Sequence, residues 1–339
     1  MNILFIGQNN ISSKHKFITL KKIYKNVDIV DGYKAFIFNN ISQKIFWHIS
    51  SKVFASMLNN FILKKINKFY DLIFVDSGEL IGEKLILLLK KKTKKIVYYC
   101  NDNPFVSRDK QRWKLSLDSL KYYDLIVFHN QSRIKPSKKY GVKKHLLVLP
   151  SYQKKVHCPQ NLSINHRKKY IHEVIFIGTW EKERGAFFKK IIQLGLNLKI
   201  YGTGWEKDKN YNFLKRYVKL GHVNDPHYSR LIYYSKIAIC LTNFGNKDNI
   251  TKRSIEIPAI GTLMCANRTS AHSKIFLENK EVVLFRDANE CYKKCIQLLS
   301  NPKKIKKIAK LGHIKVTKIL KPDFETVIKK IVKETFKIK

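Results

Sequence analysis

Short apolar runs alternate with helical patterns along the whole chain, and they fall into two series. In the first half the runs cover 2–6, 27–30, 72–75, 95–99, 125–128 and 146–149, each rich in the β-branched, aromatic or large apolar residues that strands favour. Helical periodicity fills several of the gaps, as at 83–91 and 112–120. This order predicts a parallel sheet covered by helices on both faces. Near Pro150 the pattern stops, and 151–172 is polar, basic and carries Pro159. A second alternation begins with Glu173-Val-Ile-Phe-Ile-Gly178. It continues through a helix at 186–194, a strand at 198–201 and the turn Gly202-Thr-Gly-Trp205. Further strands are expected at 217–220, 237–241, 262–266 and 282–285, with helices at 226–235 and 290–299. The chain is therefore read as α/β, with two doubly wound Rossmann-like domains facing a cleft. They span 1–155 and 173–320, joined by a linker, 156–172, and followed by a C-terminal helix, 321–339, that returns to the first domain. Ligands of open sheets sit outside the carboxyl ends of the strands, which points to that cleft.

With 339 residues, 44% of them hydrophobic, the chain can bury the cores of two domains. Lys and Asn interrupt every candidate run of ~18 apolar residues, the 36–66 region included, so no membrane-spanning helix is expected. The start, Met1-Asn-Ile-Leu-Phe-Ile-Gly7, has no basic residue before its apolar run and no small-residue cleavage site after it. It reads as a first strand and not as a signal peptide. The six cysteines are scattered, several within apolar runs such as Ile237-Ala-Ile-Cys-Leu241, and read as reduced and buried, which suits a cytoplasmic location. Cys291 and Cys295 stand one helical turn apart without a second pair or a His cluster, so packing is expected there and not zinc.

The formal net charge of +42 changes the list of partners. Lys and Arg neutralise phosphates, which invites a nucleic-acid reading. The lysines, however, far outnumber the arginines and spread from Lys14 to Lys339, with no zinc-finger spacing, aromatic RNA-binding motif or basic zipper. Compositional bias accounts for the charge equally well. If it has a partner, an anionic membrane surface at the inner face fits, reached through the Lys-rich stretches 14–25, 64–68 and 90–95. The apolar 36–66 region, with Trp47 and Phe54, would add to that contact or form an ordinary buried helix.

Candidate chemistry concentrates in Asp248-Asn-Ile-Thr-Lys-Arg-Ser-Ile-Glu-Ile-Pro-Ala-Ile-Gly261. Two carboxylates, Asp248 and Glu256, stand with Thr251 and Arg253 where a loop enters a helix whose start Pro258 permits, and backbone N–H groups at such a start favour an anion. A carboxylate for sugar hydroxyls beside an Arg for a phosphate is the set a nucleotide-sugar requires. The plain alternative makes Asp248 a loop residue, Thr251 an N-cap and Glu256 a first-turn residue stabilised by the helix dipole. Asp102, after the run at 95–99, would sit at the ligand side of the first domain, unless Asp102-Asn-Pro is simply a turn. Its neighbours two places away are Cys100 and Pro104, which excludes a metal-binding Asp-x-Asp centred there. His129 at the next strand end, and the 7–10 loop with its single Gly7, are weaker candidates.

Phe176-Ile-Gly-Thr-Trp-Glu-Lys-Glu-Arg184, Tyr201-Gly-Thr-Gly-Trp205, Arg253-Ser-Ile-Glu-Ile-Pro-Ala-Ile-Gly261 and Lys280-Glu-Val-Val-Leu-Phe285 together resemble the CgeB-like, or spore-maturation-type, glycosyltransferases of the GT-B fold. The resemblance extends more weakly to Asn101-Asp-Asn-Pro-Phe105 and Tyr123-Asp-Leu-Ile-Val-Phe128. It implies retaining, hexosyl-type transfer from a nucleotide-sugar donor to a polysaccharide, lipid-linked or protein acceptor, without a metal or other cofactor. The first domain would take the acceptor and the second the donor. It further implies that Glu256 matches the second of two spaced glutamates and holds the donor ribose, while Asp248 stands at the first, one methylene shorter. Asp248, Glu256 and Asp102 are then the candidate catalytic residues. Gly178, Arg184, Thr251, Arg253 and Glu256 are the candidate donor contacts, the two arginines serving the diphosphate. A catalytically silent nucleotide-sugar-binding relative and a basic nucleic-acid-binding protein remain the other classes. Transfer activity separates the first from the second, and salt-sensitive duplex binding with sequence preference marks the third.

Overall fold

The computed structural model describes residues 1–8, 10–35 and 40–338. Asn9 of the 7–10 loop and residues 36–39 of the apolar 36–66 stretch lie outside the described residues. The chain forms two compact units, one comprising Met1–Leu149 with Phe324–Lys339 and the other Pro150–Asp323.

The sheet of the first unit is parallel throughout, in the order β2-β1-β3-β4-β5-β6. Its strands are β1 (Asn2–Ile6), β2 (Asn26–Val30), β3 (Tyr70–Asp76), β4 (Thr93–Tyr99), β5 (Leu125–Phe128) and β6 (His145–Leu147). In the central strands β1, β3 and β5 the runs are apolar without alternation because both faces are covered, whereas the edge strands β2 and β6 stay largely exposed. In β1, Leu4 and Ile6 enter one core while Ile3 and Phe5 enter the other, and β3 divides in the same way into Ile73 and Val75 against Leu72 and Phe74. The second face is closed by the helix Phe324–Phe336. Its Phe324, Val327, Ile328, Ile331 and Val332, at helical spacing, join that core.

The second unit repeats the plan with the order β12-β11-β10-β7-β8-β9, again all parallel. Its strands are β7 (His172–Ile177), β8 (Leu198–Gly202), β9 (Val218–Leu220), β10 (Ser235–Cys240), β11 (Leu263–Asn267) and β12 (Val283–Phe285). Strand β7 lies between β8 and β10, so the chain first builds outward on one side of β7 and then on the other. The loops after β7 and β10 therefore diverge from neighbouring strand ends, which is the switch point where open sheets of this kind bind ligands.

Two local expectations are corrected. The helix expected at 112–120 shrinks to one turn, Lys114–Leu117, because Trp113, Leu115 and Leu120 are each drawn into the core and the chain bends to bury them. Pro258 does not start its helix. The helix runs Arg253–Ile260 with Pro258 inside it, and ends at Gly261, whose φ of 98° is the left-handed cap that glycine adopts without strain.

Candidate active site

The loop after β7, which forms one side of the switch point, is fixed by backbone contact with the end of β8. Gly202, at the end of β8, has φ 150°, and a Cβ there would lie 2.1 Å from the carbonyl oxygen of Gly178. Only glycine lets the two strand ends approach so closely. Gly178 N–H donates to Tyr201 O at 2.8 Å, Trp180 N–H donates to Thr203 O at 2.8 Å, and the buried Trp205 indole donates to Gly178 O at 2.9 Å. The loop that carries Gly178 toward Arg184 is thus pinned before any ligand arrives.

Arg184 is the third residue of the helix Lys182–Gln193 and is only 7% exposed, so it is not a surface charge at a helix start. Its guanidinium donates to the carbonyls of Thr179 and Thr242, lies 3.6 Å from Glu181 and stacks over Phe176 at 5.4 Å. It therefore ties the loop after β7 to the loop after β10. A pocket of about 260 Å³ opens beside it, lined among others by Glu181, Phe187, Thr242, Phe244, Asn267 and Arg286. Asn267 fixes the rim, accepting from Thr242 N–H and donating to its hydroxyl, both at 2.9 Å.

The loop after β10 leads to the helix Arg253–Ile260 through a buried polar knot. Ser254 Oγ accepts from Thr251 N–H at 3.1 Å and lies 2.8 Å from His272 Nε2, while His272 Nδ1 lies 2.8 Å from Asn267 O. Burial lowers the pKa of His272 and favours the neutral imidazole, so Nε2 accepts the hydrogen bond from the Ser254 hydroxyl and Nδ1–H donates to Asn267 O. This knot, and not an N-cap by the Thr251 side chain, organises the helix start: Lys252 is the cap residue and makes no side-chain cap bond. Arg253 is half-buried, and its Nε finds no hydrogen-bond partner among the described residues. Asp248 is half-buried in the loop, its N–H donating to Asn243 O at 3.0 Å.

Glu256 lies one turn into that helix, its side chain 13% exposed. It faces His157 Nε2 at 3.9 Å, and the same nitrogen lies 3.7 Å from Asp225. Burial opposes protonation of His157, but Glu256 and Asp225 together outweigh it and raise its pKa. Burial, and then the charge of Glu256, push the Tyr228 phenol well above its usual range. The carboxylate of Glu256 thus sits close to His157 and Tyr228, and the charge of Arg253 also acts on that phenol. Neither Glu256 nor Arg253 lines the pocket beside Arg184, so the structure does not gather the candidate donor set into that one pocket.

The chain matches known proteins in these regions. Residues 183–321 match a family model described as Glycosyl transferase-like. The chain superposes on a sucrose-phosphate synthase (tll1590) from Thermosynechococcus elongatus with a TM-score of 0.74 at 12% identity, covering all of both chains. The fold is that of the GT-B glycosyltransferases. Anabaena Alr3699/HepE in complex with UDP and glucose superposes at 0.69 and 10% identity, over 98% of this chain and 99% of that one. A trehalose-6-phosphate structure from E. coli bound with UDP-2-fluoro glucose gives 0.67 at 9%, over 99% of each chain. No curated protein sequence matches the chain.

On this GT-B fold the first unit carries its own strand-end cluster. Asp102 lies 3.6 Å from Arg112, and its carbonyl accepts from Arg133 at 3.0 Å; Asn103 Oδ1 accepts Phe105 N–H, so a turn does form there. His129 is buried against Tyr99, ring centroids 4.9 Å apart. Neither signals as strongly as two residues that pattern alone does not reveal. Glu79, 1% exposed, pairs with Arg112 at 2.7 Å and accepts from Tyr33 at 2.7 Å, while Arg112 stacks on Trp47 and Trp113. Lys16, in the Lys-rich 14–25 stretch, is not a surface charge: it is fully buried 3.0 Å from Asp76.

Within the second unit of the GT-B fold, Cys265 joins Cys291 and Cys295, their sulfurs all within 4.8 Å in the core. It comes from a strand distant in sequence, which is why the helical pair alone does not suggest it. All six cysteines are free thiols, and no helix among the described residues is long and apolar enough to cross a membrane.

Proposed function

We propose that this protein is a retaining glycosyltransferase that moves a hexosyl group from a nucleotide-sugar donor, held on the second unit, to a polysaccharide, lipid-linked or protein acceptor without a metal. The observation that carries this reading is Glu256, one turn into the helix after β10 and facing His157, with Arg253 at the start of the same helix and Arg184 bonded to the loop after β10. Glu256 accepts the ribose hydroxyls. The arginines offset the charge that develops on the departing diphosphate, where charge-assisted bonds strengthen as the sugar–oxygen bond breaks. Asp248 reaches toward the donor sugar, and Asp102 meets the acceptor or donor sugar from the first unit. The superposed structures that contain UDP, UDP-glucose or UDP-2-fluoro glucose support a nucleotide-sugar ligand. With cations and not an ion at the diphosphate, turnover is expected to survive EDTA in a radiolabelled transfer assay with a panel of nucleotide sugars. Activity that disappears on chelation and returns with magnesium or manganese refutes the metal-free reading, and absence of both transfer and donor hydrolysis leaves a silent binder.

A peripheral membrane contact is favoured by one feature of the first unit. In the 36–66 region, Trp47 and Phe54 pack inward around Phe46 and Leu58, while Ile41, Ile49 and Val53 are each more than 60% exposed among Lys44 and Lys52. Apolar residues ringed by lysines suit an anionic bilayer, each cation contributing ~1 kcal/mol near the surface. Co-sedimentation with anionic vesicles is expected, weakening as salt rises toward the ~8 Å screening length of physiological buffer. Equal binding to neutral vesicles, or none to either, speaks against it and leaves the charge as compositional bias.

A further inference from the structure

His157 lies within the polar, basic 151–172 stretch and is 4% exposed. Its ring is oriented by its own turn. Gln153 N–H donates to Nδ1 at 3.0 Å, and His157 N–H closes back onto Gln153 O at 2.7 Å. A neutral imidazole that accepts at Nδ1 carries its proton on Nε2. That Nε2–H is directed at two carboxylates, Asp225 at 3.7 Å and Glu256 at 3.9 Å, and the ring edge meets Tyr228 with centroids 5.9 Å apart and planes at 84°. These separations exceed a direct hydrogen bond yet lie well within charge–dipole attraction in a buried setting.

We infer that His157 is a positioning residue for the donor: its Nε2–H, fixed by Gln153 and shared between Asp225 and Glu256, holds the Glu256 carboxylate in the orientation that receives the ribose hydroxyls. The inference rests on the reading that Glu256 binds the ribose. Residues 157, 225 and 256 come from three separate elements, and a carboxylate caged by a fixed donor loses less freedom when a diol arrives. Asp225 takes part of the same Nε2–H, which leaves the Glu256 oxygens open to accept two hydroxyls.

The test compares, by calorimetry, whichever of UDP, GDP, ADP and CDP binds the intact protein most tightly with its 2′-deoxy form. Wild type is expected to prefer the ribonucleotide roughly tenfold or more, the size of one lost charge-assisted bond. His157→Ala should cut that preference to below about threefold, and His157→Gln, whose amide N–H points the same way, should restore most of it. A merely structural role would lower the melting temperature of His157→Ala while leaving the ribose-to-deoxyribose ratio unchanged, and that result overturns the inference. Glu256→Gln separates the two claims. If it retains the preference, or wild type shows none, the ribose reading fails. If Glu256→Gln abolishes the preference and His157→Ala keeps it, only the role of His157 fails.

Discussion

A chain ending at Asp323 is expected to lose the folded first unit. The helix Phe324–Phe336 places Phe324, Val327, Ile328, Ile331 and Val332 against Ile3, Phe5, Leu72 and Phe74, and every one of these residues is buried. At about 1.5–3 kcal/mol for each buried side chain, removing five sacrifices roughly 8–15 kcal/mol, which matches the whole stability of a typical domain. The surface ion pair between Lys22 and Glu325 adds little beside that. Hydrogen exchange read by mass spectrometry checks the point. Peptides covering β1, β3 and β4 should exchange freely in the truncated chain, while those covering β7 and β10, whose core lies within Pro150–Asp323, keep their protection. Equal protection of β1 and β3 with and without the last helix would show that the first sheet stands without it.

Glu256→Gln is expected to weaken nucleotide-sugar binding by ~1.5–3 kcal/mol, about 10- to 150-fold, while the protein remains folded. The substitution keeps the shape and removes the charge. Glu256 is part-exposed on the helix Arg253–Ile260, and the knot of Thr251, Ser254 and His272 that sets the helix start does not include it. Loss of the negative charge also removes the attraction that raises the pKa of His157, so the imidazole should titrate lower in the variant, a shift that NMR of the ring protons can follow. Unchanged donor affinity in calorimetry, with an intact thermal melt, would remove Glu256 from the ribose.

Much of the architecture is legible along the chain. Runs such as 2–6, 125–128 and 237–241 read as strands because both faces of a parallel sheet are buried, so the sequence need not alternate, and the turn Gly202-Thr-Gly-Trp205 announces itself because the backbone there demands glycine. Where local pattern misleads, a tertiary contact has won. Lys114–Leu117 is short because Trp113, Leu115 and Leu120 go to the core, and Pro258 is carried within a helix whose start is fixed by the contact of its own Ser254 with His272 outside it.

The sequence by itself determined the class of fold, two parallel sheets with helices, and the concentration of polar chemistry at 248–261. Both are local matters, set by periodicity, by side-chain type and by the backbone freedom of a few glycines. Only the tertiary structure decided which charges are surface and which are structure. Arg184 and Lys16 look alike in a lysine-rich chain, yet one clamps two strand-end loops and the other is buried against Asp76. Only folding, too, brought His157 and Asp225 to Glu256, Glu79 to Arg112, and Cys265 to Cys291 and Cys295. Such pairings carry no period and no spacing. They exist because strand order and helix packing bring distant segments together, and desolvation then makes an unpaired charge too costly to leave in place.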